Sequence, residues 1–172
     1  MKDNVILGID PGFSVTGFSI IKKSGSITAL SDFGYLKLPT KKHLSERVGI
    51  FFETIKEKIV RHQVTELALE TPFLGKNVQS FLKLGYLRGV LYLLAHQHSL
   101  ILHEFSPREV KMAVTGFGGA GKDQVARMVI SLFPKITTLG NFEKYDVTDA
   151  VAVSLAGLWH QGQQQLLNRL VR

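Results

Sequence analysis

The stretch Asn4-Val5-Ile6-Leu7-Gly8-Ile9-Asp10-Pro11-Gly12 decides the fold. Val5, Ile6, Leu7 and Ile9 form a short apolar run rich in β-branched residues, the pattern of a strand buried on both faces. Asp10 stands where the run ends, and Pro11-Gly12 forces a turn. Residues 15–21 (Val-Thr-Gly-Phe-Ser-Ile-Ile) then predict a second strand, so the chain opens as a hairpin with a carboxylate at its mouth. An Asp-Pro-Gly can be an ordinary turn whose Asp accepts local backbone N–H bonds. A buried carboxylate costs several kcal/mol unless a cation, N–H donors or water compensate it, roughly the scale of a whole cap or core contact. Whether Asp10 does chemistry therefore depends on what else meets it.

Outward from the hairpin, residues 27–38 predict a third strand closed by Pro39. Leu44, Val48, Phe51, Ile55 and Ile59 recur at helical spacing to about Arg61. His43 and His62 flank this helix without a nearby ligand pair and read as solvated. Residues 64–70 (Val-Thr-Glu-Leu-Ala-Leu-Glu) predict a fourth strand that also ends in an acid before a proline, Glu70-Thr71-Pro72. A long helix is expected over residues 77–96, punctuated by Lys76, Lys83 and Arg88. Gly85 and Gly89 share one face of it, suited either to packing on the sheet or to close contact across a two-fold axis. Residues 100–105 predict a fifth strand. Ser106-Pro107 with Glu109 reads as an N-cap with proline in the first turn of a short helix over 108–114.

A glycine-rich loop follows, Gly116-Phe117-Gly118-Gly119-Ala120-Gly121-Lys122, and then an amphipathic helix ending before Pro134. The loop matches the first seven places of a phosphate-binding G-x-x-x-x-G-K loop, but Asp123 stands where a hydroxyl belongs. It also follows a helix rather than a strand, so nucleotide binding is rejected. A lysine-tipped glycine loop can instead track a DNA backbone. Residues 136–145 read as irregular. Asp146-Val147-Thr148-Asp149 opens a last helix that is apolar nearly all round over 150–159 and hence buried. Residues 160–172 read as a polar tail on a single domain spanning 1–172.

The chain has 172 residues, 45% of them hydrophobic, which suits one domain with a sizeable core. No stretch approaches a membrane span, and no secretory signal layout opens the chain. Without a single cysteine there are no disulfides and no thiolate chemistry, in keeping with a reducing, cytoplasmic setting. Lys and Arg outnumber Asp and Glu by 21 to 14, a net +7 that suggests a polyanionic partner, nucleic acid first.

Asp10 and Glu70 each end a buried strand, and Asp146 and Asp149 share one face at a helix start. Acids there could simply cap the helix, but Asp149 enters an otherwise apolar stretch. If the first and fourth strands are neighbours, the helix start completes a cluster of four carboxylates. Such a cluster resists ionisation unless cations neutralise it. Hard divalent ions suit oxygen donors of this kind, and a pair of ions roughly 3.5–4 Å apart supports phosphodiester cleavage.

Gly8-Ile9-Asp10-Pro11-Gly12 with Thr16-Gly17, Ala68-Leu69-Glu70 followed by Phe73, Lys83-Leu84-Gly85 with Arg88-Gly89-Val90, and Asp146-Val147-Thr148-Asp149-Ala150 together resemble the RuvC Holliday-junction resolvases. The likeness runs through nearly the whole chain in order. It implies an α/β, RNase H-like fold, a mixed five-stranded sheet flanked by helices. It also implies a homodimer that nicks opposed strands of a four-way DNA junction in recombination and repair. Mg²⁺, with Mn²⁺ as a substitute and two ions per subunit, would be held by the catalytic acids Asp10, Glu70, Asp146 and Asp149. Phe73 matches the family's aromatic that stacks on junction bases, and Lys111 and Lys122 match basic residues near the scissile phosphate. Lys76, Lys83 and Arg88 complete the expected DNA contacts, and a RuvA–RuvB branch-migration complex is the partner the family suggests. Competing readings are an actin-like or sugar-kinase ATPase, for which the chain is too short, an inert DNA-binding module, and a related nuclease of ribosomal RNA maturation.

Overall fold

The computed structural model describes residues 4–72, 78–138 and 144–170, and side chains within these except those of residues 144 and 161–170. Strands β1 (Asn4–Asp10), β2 (Val15–Ser24) and β3 (Ile27–Lys37) lead to helix α1 (Leu44–His62). Strand β4 (Glu66–Glu70), helix α2 (Val78–Gln97) and strand β5 (Ile101–Phe105) follow. Helices α3 (Pro107–Thr115) and α4 (Lys122–Leu132), a 3₁₀ turn (Pro134–Thr138) and helix α5 (Lys144–Leu170) complete the described chain.

The strands form one mixed sheet in the order β3-β2-β1-β4-β5. β1 pairs antiparallel with β2, from Asn4 opposite Lys23 to Asp10 opposite Gly17. It pairs parallel with β4, from Ile6 opposite Glu66 to Ile9 opposite Leu69, and β4 pairs parallel with β5. Period-two alternation divides these strands between two cores. Val5, Leu7 and Ile9 pack with Leu67 and Leu69 beneath Phe51, Ile55, Leu87 and Leu91 of α1 and α2. Ile6 and Ala68 face the other way, into Val147, Val151 and Leu155 of α5 and the apolar sides of α3 and α4. By the same alternation Asp10 and Glu70 belong to the α5 face.

Two glycines seat α5. A Cβ at Gly8 would lie 2.2 Å from Ser154 Oγ and 2.5 Å from the Ala150 carbonyl oxygen, and one at Gly17 would lie 2.0 Å from the Asp146 carbonyl oxygen. Buried hydroxyls fix the seating: Ser19 Oγ donates to the Ala150 carbonyl at 3.0 Å and lies 2.6 Å from Ser154 Oγ. Gly8→Ala therefore forces α5 off the sheet, and we expect a loss of about 1–3 kcal/mol, the usual cost of overpacking. Urea unfolding checks it, and an unchanged midpoint would contradict so close an approach.

Several local expectations change in the structure. His43 is exposed as expected, and it also serves as the N-cap of α1, with Glu46 reaching back to its backbone N–H at 3.0 Å. His62 lies 3.1 Å from the Asp32 carboxylate, which Lys58 also holds at 2.7 Å. α5 begins at Lys144, ahead of Asp146, and remains helical to Leu170 through the glutamine-rich stretch expected to be a tail. Gly85 and Gly89 do not pack on the sheet, since a Cβ at either would meet nothing within 4 Å. The capping box at Ser106 forms as expected, Ser106 accepting from the Glu109 N–H and Glu109 accepting from the Ser106 N–H at 2.7 Å.

Candidate active site

Pairing of Ile9 with Leu69 makes Asp10 and Glu70 the next residues on adjacent parallel strands. The turn after Asp10 is pinned by Thr16, whose hydroxyl donates to the Gly12 carbonyl at 2.9 Å and accepts from the Gly12 N–H at 3.2 Å. From α1, the buried Arg47 donates to the Phe13 carbonyl and stacks 4.0 Å from its ring centroid. After Glu70, the Thr71 N–H donates to the Phe105 carbonyl of β5 at 2.7 Å. The Gly17 seat then lays the first two turns of α5, with Asp146 and Asp149, over these strand ends.

The four acids act on one another. Burial, then Asp149, Glu70 and Asp146, push the Asp10 carboxyl from 3.8 up to about 7, against a smaller pull from Lys122. Glu70 is raised by burial and by Asp149, while Lys111 and Lys122 pull it down. Among the described residues no three side chains are already drawn together as a metal-holding cage. The donor set fits a hard divalent ion: carboxylate oxygens only, with Asp10 and Glu70 held above the ordinary carboxylate range by burial first and by neighbouring acids second.

Lys122, the first residue of α4, supplies local positive charge. Its Nζ lies 2.8 Å from Asp149 Oδ2 and 5.4 Å from the Tyr145 ring centroid. Burial lowers its pKa, but the bond to Asp149 and the fields of Asp10 and Asp146 outweigh that and raise it. Tyr145 in turn donates to Asp123 at 3.1 Å, which ties the starts of α4 and α5 together. Glu70, Lys111, Lys122 and Asp149 line a cavity of about 230 Å³ floored by Val110 and Val125.

The DNA-contact expectations divide. Lys111 and Lys122 lie at the acids, and Lys83 is exposed on α2. Phe73 and Lys76 lie outside the described residues. Arg88 is a correction: it is 5% exposed, and its guanidinium is engaged inside the protein by the Glu70 carbonyl, Glu104 and Tyr92. The family resemblance offers Arg88 as a DNA contact, whereas a counter-charge on β5 keeps it inside.

A mixed five-stranded sheet with acids at the ends of its two central parallel strands, covered by a helix that brings two more, defines an RNase H-like nuclease. Residues 6–157 match the model of the family described as crossover junction endodeoxyribonuclease RuvC. A relative so named from Chlorobium phaeovibrioides is 43% identical over 164 residues, covering 94% of this chain and 84% of its own. One from Pelodictyon phaeoclathratiforme is 40% identical over 161 residues, covering 94% and 83%. The structure of Thermus thermophilus RuvC in complex with a Holliday junction substrate superposes with a TM-score of 0.81 at 25% identity, covering 92% of this chain and 94% of that one. The yeast mitochondrial resolvase Ydc2 shares the fold, with a TM-score of 0.69 at 16% identity over 96% of this chain and 81% of that one. The chain belongs to the RuvC family of crossover junction endodeoxyribonucleases, metal-dependent hydrolases of phosphodiester bonds.

Proposed function

We propose that this chain resolves four-way DNA junctions by paired, symmetric nicks, using Asp10, Glu70, Asp146 and Asp149 to hold two Mg²⁺ ions, with Mn²⁺ able to replace them. The observation that carries this is the mutual perturbation of carboxylates brought from β1, β4 and α5 beside two lysines. Two such ions would activate the attacking water and stabilise the leaving oxygen. The protein's own part is to fix those carboxylates from the ends of two interior strands and the start of α5. Lys111 and Lys122 attract the scissile phosphate to the cavity between them. The net +7 favours a phosphate backbone with the salt dependence that counterion release brings.

The reading includes a homodimer. Val78, Leu82, Tyr86 and Leu93 are exposed along one stripe of α2, with Gly85 and Gly89 leaving room for another backbone. A second copy related by a two-fold axis would cover that stripe and place two sites on opposed strands. Phe73 and Lys76 would contact the junction beside Glu70, Lys83 would add a phosphate contact, and a branch-migration complex of the RuvA–RuvB kind would present the substrate in a cytoplasmic setting. Residues 1–172 act here as one domain. A cruciform extruded from supercoiled plasmid tests the reading: with Mg²⁺ we expect linear product from two nicks made in one encounter, and none without the ion. Accumulation of singly nicked circles would remove the paired dimer, and equal cutting of linear duplex would remove junction selectivity.

A further inference from the structure

Arg88 is the buried charge that the proposed chemistry does not use. It projects from α2 to the end of β4, where Nη1 donates to the Glu70 carbonyl at 2.6 Å. Nη2 pairs with the Glu104 carboxylate of β5 and donates to the Tyr92 hydroxyl at 3.0 Å. Tyr92 completes the ring by donating to Glu104 Oε1 at 2.8 Å. Through its two Nη groups the guanidinium thus bridges a helix and two strands, a forked geometry that a lysine ammonium cannot reproduce. On the other side of the same peptide unit, the Thr71 N–H is held by the Phe105 carbonyl at 2.7 Å.

We propose that Arg88 is a positioning residue for Glu70: by clamping its carbonyl while β5 clamps the next N–H, it fixes the direction in which the Glu70 side chain leaves the backbone. The proposal rests on the reading of Glu70 as one of the metal-holding acids. Arg88 acts through geometry rather than charge. The fields that reach the Glu70 carboxylate come from Asp149, Lys111 and Lys122, while the charge of Arg88 is matched by Glu104. Groups that orient metal ligands from behind commonly change metal affinity or activity by about 10–100-fold when lost.

Arg88→Lys keeps the charge and loses the fork. We expect its single-turnover cleavage rate on a four-way junction to fall about 10–100-fold, and the Mg²⁺ concentration for half-maximal rate to rise. The junction Kd in metal-free buffer and its salt slope should stay as in the wild type. A weaker Kd with a salt slope reduced by about one, at unchanged single-turnover rate, would make Arg88 a phosphate contact and overturn the proposal. So would an unchanged rate and Mg²⁺ requirement. Tyr92→Phe and Glu104→Gln leave Arg88 in place and loosen its hold, so both should show smaller losses of rate at constant Kd. They carry the test if Arg88→Lys does not fold, and no change in either would sink the idea. A wild-type chain that does not cut junctions with Mg²⁺ removes the underlying function, whereas wild-type cutting matched by all three variants removes only the role of Arg88.

Discussion

We expect Asp10→Asn to lower Mg²⁺-dependent junction cleavage by about 10³-fold or more, as loss of a group that acts within a catalytic unit does, and to leave junction binding without metal unchanged or tighter. Asp10 is the acid on which the other three converge: Asp149, Glu70 and Asp146 all act on it, in that order. Asn keeps the shape and a carbonyl oxygen but removes the charge and one of the lone-pair sites that a hard cation needs. Binding should survive because phosphate affinity depends on the surrounding lysines, and removing an anion beside phosphate reduces repulsion. Single-turnover cleavage at saturating protein, beside gel-shift titration of the same junction, separates the two quantities. Cleavage within tenfold of wild type would take Asp10 out of the catalytic unit, and equal losses in rate and affinity would make it a structural residue.

The features that were readable along the chain are those whose cause is local. A β-branched run stopped by Asp-Pro-Gly places Asp10 at a strand end, and the Ser106-Pro107-x-Glu109 spacing writes its own capping box. The periodicity of residues 44–59 likewise marks α1 from within. What escaped depends on partners distant in sequence. Gly8 and Gly17 are small because α5, more than 120 residues away, presses on them. His62 lies beside an aspartate thirty residues earlier. Arg88 is buried because the parallel pairing of β4 with β5 sets Glu104 beside the end of β4, a juxtaposition that no helical period reports. Lys122 is similar: its loop reads as one that tracks a DNA backbone, yet Lys122 opens a helix and bonds the acid of another. Charged residues in these places were visible as charges, but the counter-charge that decides whether they face DNA or the protein's interior is set by topology.

The burial and crowding of Asp10 also make the site a weak point of the metal-free fold, and the same substitution exposes this. Asp10 has a higher pKa folded than unfolded, so the native state holds its proton more tightly and ionisation costs stability. The cost is absent below about 3.8, grows as pH rises, and is complete above about 7. A carboxyl moved from 3.8 to about 7 corresponds to at most about 4 kcal/mol, and water at its partly exposed tip reduces this to about 2 kcal/mol. Asn carries no charge at any pH. Asp10→Asn should therefore unfold at higher urea than wild type at pH 8 without metal, with the gain shrinking steadily toward pH 4. Saturating Mg²⁺ should reverse the order at pH 8, because an ion that binds only the folded state stabilises in proportion to the logarithm of its occupancy, and it binds the intact acids better. A gain of equal size at pH 4 and pH 8 would assign the effect to packing, and a loss at pH 8 would mean that Asp10 is held by partners stronger than the three carboxylates that surround it.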